Sequence, residues 1–166
     1  MSLMEIIIRN ASKADSELLR SIEARDGFQY PYKKTKEDYE KYIGEGDTFF
    51  IAEANGEPVG YISIVDCNYL GNVCRLHFLA VVKDFQSKGV GSRLMEHFEI
   101  EAREWGYERI IINVYENNQR AIEFYERKGY DFWFRIPYRY EEGIDAVVLY
   151  KDIGPMFVER KSKKQE

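Results

Sequence analysis

The sequence predicts an α/β domain built on a mixed sheet with helices on both faces. Three observations carry this. Apolar, β-rich runs alternate with stretches of helical spacing along the chain. Asn55-Gly56 lies between two such β-rich runs, a hairpin signal that brings antiparallel pairing into the sheet. Leu79-Ala80-Val81-Val82 then leads through Gly89-Val90-Gly91 into a long amphipathic stretch, so a strand turns directly into a helix.

Each element follows from local chemistry. Glu5 to Arg9 reads as a buried first strand around Ile6-Ile7-Ile8. Ser12 with Asp15 three residues on forms a capping box that opens a helix to about Ala24, with Leu18, Leu19 and Ile22 on its apolar face. Asp26-Gly27-Phe28-Gln29-Tyr30-Pro31-Tyr32 breaks that helix, and Thr35 caps a second one to about Ile43. Thr48 to Ala54 and Val59 to Asp66 are strands, and Leu70-Gly71-Asn72 marks the next turn. Val73 to Val82 is apolar enough for a central strand. From Gly91 to about Trp105, Leu94, Met95, Phe98, Ala102 and Trp105 share one helix face, and Gly106 stops it. Ile110-Ile111-Ile112 centres a buried strand, Asn117 or Asn118 caps a helix from Gln119 to Lys128, and Gly129 ends it. Phe132 to Tyr140 and Ile144 to Lys151 close the sheet as a hairpin.

Composition limits the function. A chain of 166 residues, 45% apolar and 32% charged, fits one globular domain; it is expected over residues 4–155, with 156–166 a mobile tail. No apolar run approaches the roughly 18 residues of a membrane span, and no secretory leader is read. Cys67 and Cys74 flank a turn and could face one another, but two cysteines make neither a disulfide framework nor a zinc site. Reduced thiols in a cytoplasmic protein are expected, with no metal. A net charge of −5 argues against nucleic acid and suits a cationic partner.

The chemistry concentrates at Gln86-Ser87-Lys88-Gly89-Val90-Gly91. Backbone N–H groups at a helix start point outward without intrahelical acceptors, and the macrodipole adds positive potential there. Glycine at positions 89 and 91 keeps side chains out of an anion's way. Each amide bond to a charged oxygen contributes roughly 1.5–3 kcal/mol, so several anchor a pyrophosphate without a metal. Spelling excludes two nucleotide loops. The G-x-x-x-x-G-K-S/T pattern is absent, and Leu94 stands where a dinucleotide fingerprint needs a third small residue.

This segment resembles the Gln/Arg-x-x-Gly-x-Gly/Ala pattern of the GNAT superfamily of N-acetyltransferases. The resemblance continues through Asn113-Val114-Tyr115-Glu116-Asn117-Asn118-Gln119-Arg120-Ala121-Ile122-Glu123-Phe124-Tyr125-Glu126-Arg127-Lys128-Gly129-Tyr130, which is similar to the family's Asn-x-x-Ala-x-x-x-Tyr-x-x-x-Gly-Phe/Tyr segment. It implies a sheet splayed between its fourth and fifth strands and acetyl-CoA as donor. Gln86, Ser87, Lys88, Gly89, Val90, Gly91 and Ser92 would form the pyrophosphate turn. Backbone groups of Leu79, Ala80 and Val81 would pair with the pantetheine arm, Asn118 would bind or order the site, and Tyr125 would lie near the sulfur as general acid. A purely structural alternative for Tyr125 is the edge of the core.

Leu76-His77-Phe78-Leu79-Ala80-Val81 is similar to a stretch of the arylalkylamine N-acetyltransferases in which the histidine is tied to proton removal, which makes His77 or an ordered water the candidate base. A hydrogen-bonded structural histidine is the alternative. His97 is expected at the surface. Asn113 stands where some relatives that act on protein N-termini place a glutamate base, and an amide cannot accept that proton. On the acceptor side, Phe28, Tyr30 and Tyr32, with Tyr138 and Tyr140 before Asp145-Ala146, loosely resemble the N-terminal acetyltransferases of ribosomal proteins. Arg75, Glu23 and Glu53 are weighed as charge partners, with ordinary surface positions as the alternative. The resemblance leaves a small-molecule amine or a peptide N-terminus as acceptor. A homodimer and a non-catalytic acyl-CoA-binding module both stay open.

Overall fold

The computed structural model describes residues 3–30, 32–137 and 143–154. The expected tail and the positions of Pro31, Tyr138 and Tyr140 lie outside them. Strands β1 (Ile6–Asn10), β2 (Thr48–Ala54), β3 (Glu57–Asp66), β4 (Val73–Val81), β5 (Arg109–Tyr115), β6 (Asp131–Ile136) and β7 (Ala146–Asp152) alternate with helices α1 (Ser16–Ala24), α2 (Lys36–Gly44), α3 (Val90–Glu104) and α4 (Gln119–Arg127). The strands form a seven-stranded open sheet in the order β1-β2-β3-β4-β5-β7-β6, so β4 is central as its apolar sequence requires. The chain divides into two compact units, one of residues 1–66 and 76–98, the other of residues 67–75 and 99 onward.

In the first unit β2 pairs antiparallel with both β1 and β3. Asn55 and Gly56, at φ 49° and 82°, close the β2–β3 hairpin with the two left-handed residues such a turn needs. Thr35 and Asp38 cap α2 reciprocally: Asp38 N donates to Thr35 Oγ1 at 3.2 Å, and Thr35 N donates to Asp38 Oδ2 at 2.7 Å. Leu19 and Ile22 of α1 pack with Tyr39, Phe49, Ile51, Tyr61, Ala80 and Val82 in one core. Gly60 on β3 is a close-approach position. A Cβ there would meet the Ala80 carbonyl oxygen and Leu94 Cδ1, each at 3.1 Å, so its bareness lets β4 and the start of α3 lie against β3.

In the second unit β7 pairs antiparallel with both β5 and β6, so the last strand lies between β5 and the strand that precedes it in sequence. Asn118 caps α4, accepting from Ala121 N at 3.2 Å. At the other end Lys151 Nζ donates to the Lys128 carbonyl at 2.8 Å and pairs with Glu99, which also accepts from Tyr130 Oη.

Several expectations are corrected. Lys13–Asp15, at the expected start of the first helix, is a 3-10 turn ahead of α1, and two further 3-10 turns, Asn68–Leu70 and Lys83–Phe85, flank β4. Trp105 lies just past α3 and is 47% exposed, off the buried face of Leu94, Met95, Phe98 and Ala102. His97 is half-buried, edge-on to the Phe50 ring at 4.6 Å, because its helix face turns toward β2. Cys67 and Cys74 are buried and unbridged, with Cys67 packed against Val73 and Ile111.

Candidate acyl-transfer site

The cradle belongs to the first unit. β4 ends at Val81, the Lys83–Phe85 turn follows, and α3 begins at Val90. Between them the backbone adopts two left-handed residues, Ser87 at φ 59° and Gly89 at φ 88°. Alternating handedness turns successive N–H groups toward one side, a concavity suited to anions. The first intrahelical donor is Arg93 N, to the Gly89 carbonyl at 3.0 Å, so the amides just before it lack partners within the helix. A Cβ built on Gly89 meets nothing within 4 Å. Space over the turn is therefore open, and it is the positive φ that calls for glycine there. Open space, outward amides and the Lys88 ammonium fit a pyrophosphate.

Gln86 braces this turn. Its side-chain amide donates to the Asp26 carbonyl at 2.7 Å and to the Val81 carbonyl at 2.9 Å, tying the end of β4 to the residue after α1. Lys83 N donates to the Arg25 carbonyl at 2.8 Å alongside it. On β4, His77, Leu79 and Val81 alternate onto one partly exposed face, while Ala80 and Val82 enter the core.

The loop after α1 is organised by Asp26, a residue that the sequence marks only as part of a helix break. Asp26 is buried, accepts from Phe28 N at 2.8 Å and from Tyr30 Oη, and burial raises its pKa above the ordinary carboxylate value. Phe28 and Tyr30 meet edge to face at 4.7 Å. Lys34 lies over the Tyr30 and Phe78 rings, at 5.2 and 4.3 Å from their centroids, and pairs with Glu23. Glu23 also accepts from Tyr61 Oη at 3.2 Å, and Tyr61 meets Tyr39 hydroxyl to hydroxyl at 2.8 Å. The surface role expected for Glu23 is thus overturned, since it is 7% exposed beneath a lysine. Glu53 is paired with Arg9. Tyr32 stands apart from this cluster, 59% exposed, with its hydroxyl on Asp38.

His77 has a partner that local sequence does not show. Its Nδ1 lies 2.5 Å from Oδ2 of Asp47, a buried residue between α2 and β2. Asp47 N donates to the Tyr42 carbonyl at 3.0 Å, which fixes the aspartate to the end of α2. The imidazole stacks on Phe78 at 3.8 Å and meets the Tyr42 ring edge-on at 5.2 Å. Only the tertiary placement of Asp47, thirty positions away, could reveal the pair.

The second unit holds Asn118 and Tyr125. Asn118 Oδ1 is engaged in capping α4, so this residue orders the helix that carries Tyr125. Tyr125 is 6% exposed between Phe124 and Tyr130, and burial raises its hydroxyl well above the ordinary tyrosine pKa. Arg75 is half-buried on β4, and its Nε has no hydrogen-bond partner. Among the described residues, no His, Cys, Asp and Glu group could hold a metal ion. Nor is any described helix long and apolar enough to cross a membrane.

A seven-stranded open α/β sheet whose central strand β4 turns through two left-handed residues into α3 is the architecture of this class of protein. The chain belongs to the acetyltransferase (GNAT) family, whose model matches residues 16–130. It is 32% identical over 136 residues to an uncharacterized N-acetyltransferase of Methanocaldococcus jannaschii, covering 75% of this chain and 60% of that protein. The chain therefore spans less than two thirds of that relative's length. A second uncharacterized N-acetyltransferase of the same organism is 32% identical over 149 residues, covering 88% of this chain and 91% of the other. The fold is similar to that of the ribosomal-protein-S18-alanine N-acetyltransferase of Escherichia coli, with a TM-score of 0.78 at 22% identity over 90% of this chain and 95% of that one.

Proposed function

We propose that this protein transfers the acetyl group of acetyl-CoA to a primary amine, by direct attack within a ternary complex. The turn from Ser87 to Ser92 carries this reading. Its two left-handed residues and open space support a pyrophosphate held by amides and Lys88. Leu79, Ala80 and Val81 would bond the pantetheine arm as an added strand. The donor supplies an activated acetyl carbon and a thiolate leaving group.

The protein's own residues then have three tasks. Phe28, Tyr30 and Tyr32 would contact the acceptor from the loop after α1, and Tyr138 and Tyr140, which lie outside the described residues, are proposed as acceptor contacts from their sequence alone. His77 Nε2 would take the proton that the acceptor ammonium must lose before it attacks. Tyr125, holding its proton at neutral pH, would return one to the departing thiolate. Proximity supplies much of the remaining acceleration. The acceptor is a small-molecule amine or a peptide N-terminus. The fold's likeness to an enzyme named for alanine acetylation of a ribosomal protein supports the second. Unbridged Cys67 and Cys74 support a cytoplasmic setting.

The test pairs calorimetry with thiol release. Acetyl-CoA is titrated first. Release is then followed with a peptide bearing N-terminal alanine, an N-blocked lysine peptide, spermidine and an arylalkylamine. Binding plus amine-dependent release is expected. No binding at millimolar acetyl-CoA, about −4 kcal/mol, removes the donor assignment. Binding without release above the no-amine control leaves a non-catalytic acyl-CoA-binding module.

A further inference from the structure

Asp47 and His77 form a hydrogen-bonded pair on the β4 face that carries Leu79 and Val81. The carboxylate side chain is 5% exposed and the imidazole 22% exposed, at an Nδ1–Oδ2 separation of 2.5 Å. Such burial on one side and partial exposure on the other orients the ring. A carboxylate can only accept, so in the neutral ring Nδ1 carries the proton and Nε2 keeps its lone pair. Phe78 stacks on the imidazole and Tyr42 meets it edge-on, which restricts ring rotation as well. Lys34, paired with Glu23, lies over the same Phe78 ring, 4.3 Å from its centroid.

We infer that Asp47 is a positioning residue for acetyl transfer, which fixes the His77 tautomer so that Nε2 receives the proton of the acceptor ammonium. This rests on the transferase reading and deepens it. In the step, an N–H bond of the ammonium breaks and its proton goes to Nε2. The freed lone pair then forms the new C–N bond as the thioester C–S bond breaks with its electron pair leaving on sulfur; the nitrogen loses its second proton to give the amide, the thiolate gains a proton from Tyr125, which is reprotonated by that released proton through solvent, and the imidazolium afterwards loses its proton to water. Asp47 keeps its charge throughout and stabilises the imidazolium that forms.

Two independent readouts test this. The chain has two histidines, His77 and His97, so long-range 15N–1H spectra with a His97→Gln variant for assignment report the His77 tautomer in the intact protein. The expected state is Nδ1–H, with Asp47→Asn producing a mixture or the Nε2–H form. An Nε2–H tautomer in the wild type overturns the inference.

Kinetics with the four amines named above supply the second readout. His77→Gln is expected to lower kcat roughly 10²–10⁴-fold, and Asp47→Asn at least about tenfold, each with an unchanged acetyl-CoA Kd. Because the two act as a unit, the double variant should be no slower than His77→Gln. Wild-type kcat in Asp47→Asn, or losses that multiply in the double variant, overturns the inference while transfer itself stands. Acetyl-CoA binding without release by any amine in the wild type instead removes the transferase reading. Thermal melts of each variant separate unfolding from a kinetic loss. Asp47→Glu, which restores a carboxylate, should recover part of the lost kcat.

Discussion

The side-chain amide of Gln86 reaches the backbone carbonyl of Asp26 at 2.7 Å, joining the cradle to a residue sixty positions earlier. A second bond from the same amide, to Val81, makes Gln86 the brace between β4 and the loop after α1. Gln86→Ala removes both bonds, each contributing about 0.5–1.5 kcal/mol. A lower melting temperature is expected, with acetyl-CoA bound roughly threefold to tenfold more weakly as the turn loosens. Calorimetry beside a thermal melt checks this. Unchanged affinity would show that the turn holds its shape without the brace.

Gly89 sets the cradle by conformation. At φ 88° any L side chain is strained by roughly 1–2 kcal/mol, although the space around its Cβ is open. Gly89→Ala should therefore lower stability by about that amount, read by urea unfolding. Gly89→Glu adds a negative charge at the anion site and should weaken acetyl-CoA binding well beyond the alanine variant. Equal affinity in the two variants would move the pyrophosphate elsewhere.

Much of the fold was legible because its signals are local. The Asn55-Gly56 turn and the Thr35 cap appear at the positions their spelling gives, and of Asn117 and Asn118 it is Asn118 that caps α4. The junction of β4 with α3 is legible for the same reason, since a strand, two glycines and a helix are consecutive. What could not be read depends on residues distant in sequence. Glu23 looked like a surface acid until Lys34 and Tyr61 were found on it, and Asp47 gave no sign of His77. The reason Gly60 must be bare is Leu94 and Ala80, which no spacing rule links to it.

The Glu23–Lys34 pair gives a stability prediction. Both side chains are nearly buried, at 7% and 9% exposure. Removing the lysine alone leaves an uncompensated buried charge, so Lys34→Met should destabilise by about 3–5 kcal/mol. Adding Glu23→Gln removes that charge, and the double variant should recover part of the loss. Urea unfolding of the four proteins closes the cycle. Additive losses would mean that the two side chains act independently.

Alkaline pH should act through four tyrosines. Burial raises the hydroxyls of Tyr39, Tyr61, Tyr125 and Tyr130 above their ordinary value. The unfolded chain releases these protons near pH 10, while the native chain holds them higher. Above that pH the native state binds more protons than the unfolded one. Their contribution is therefore complete below about pH 10 and falls as pH rises past it, by up to about 1.4 kcal/mol per unit for each group. Urea midpoints between pH 9 and 11 should drop accordingly, and Tyr39→Phe should flatten the slope. A midpoint independent of pH in that range would contradict the burial of these hydroxyls.

Tyr125 separates chemistry from binding. Its ring packs between Phe124 and Tyr130, and a phenylalanine keeps that packing while removing the hydroxyl. If the hydroxyl protonates the departing thiolate, Tyr125→Phe should lower kcat by roughly 10²-fold, with acetyl-CoA affinity within about twofold of wild type. The loss should shrink with an activated thioester whose thiolate leaves without help, because the proton then matters less to the barrier. Turnover of the ordinary thioester by Tyr125→Phe at the wild-type rate across the pH range would assign this tyrosine to the core alone and leave thiolate protonation to solvent.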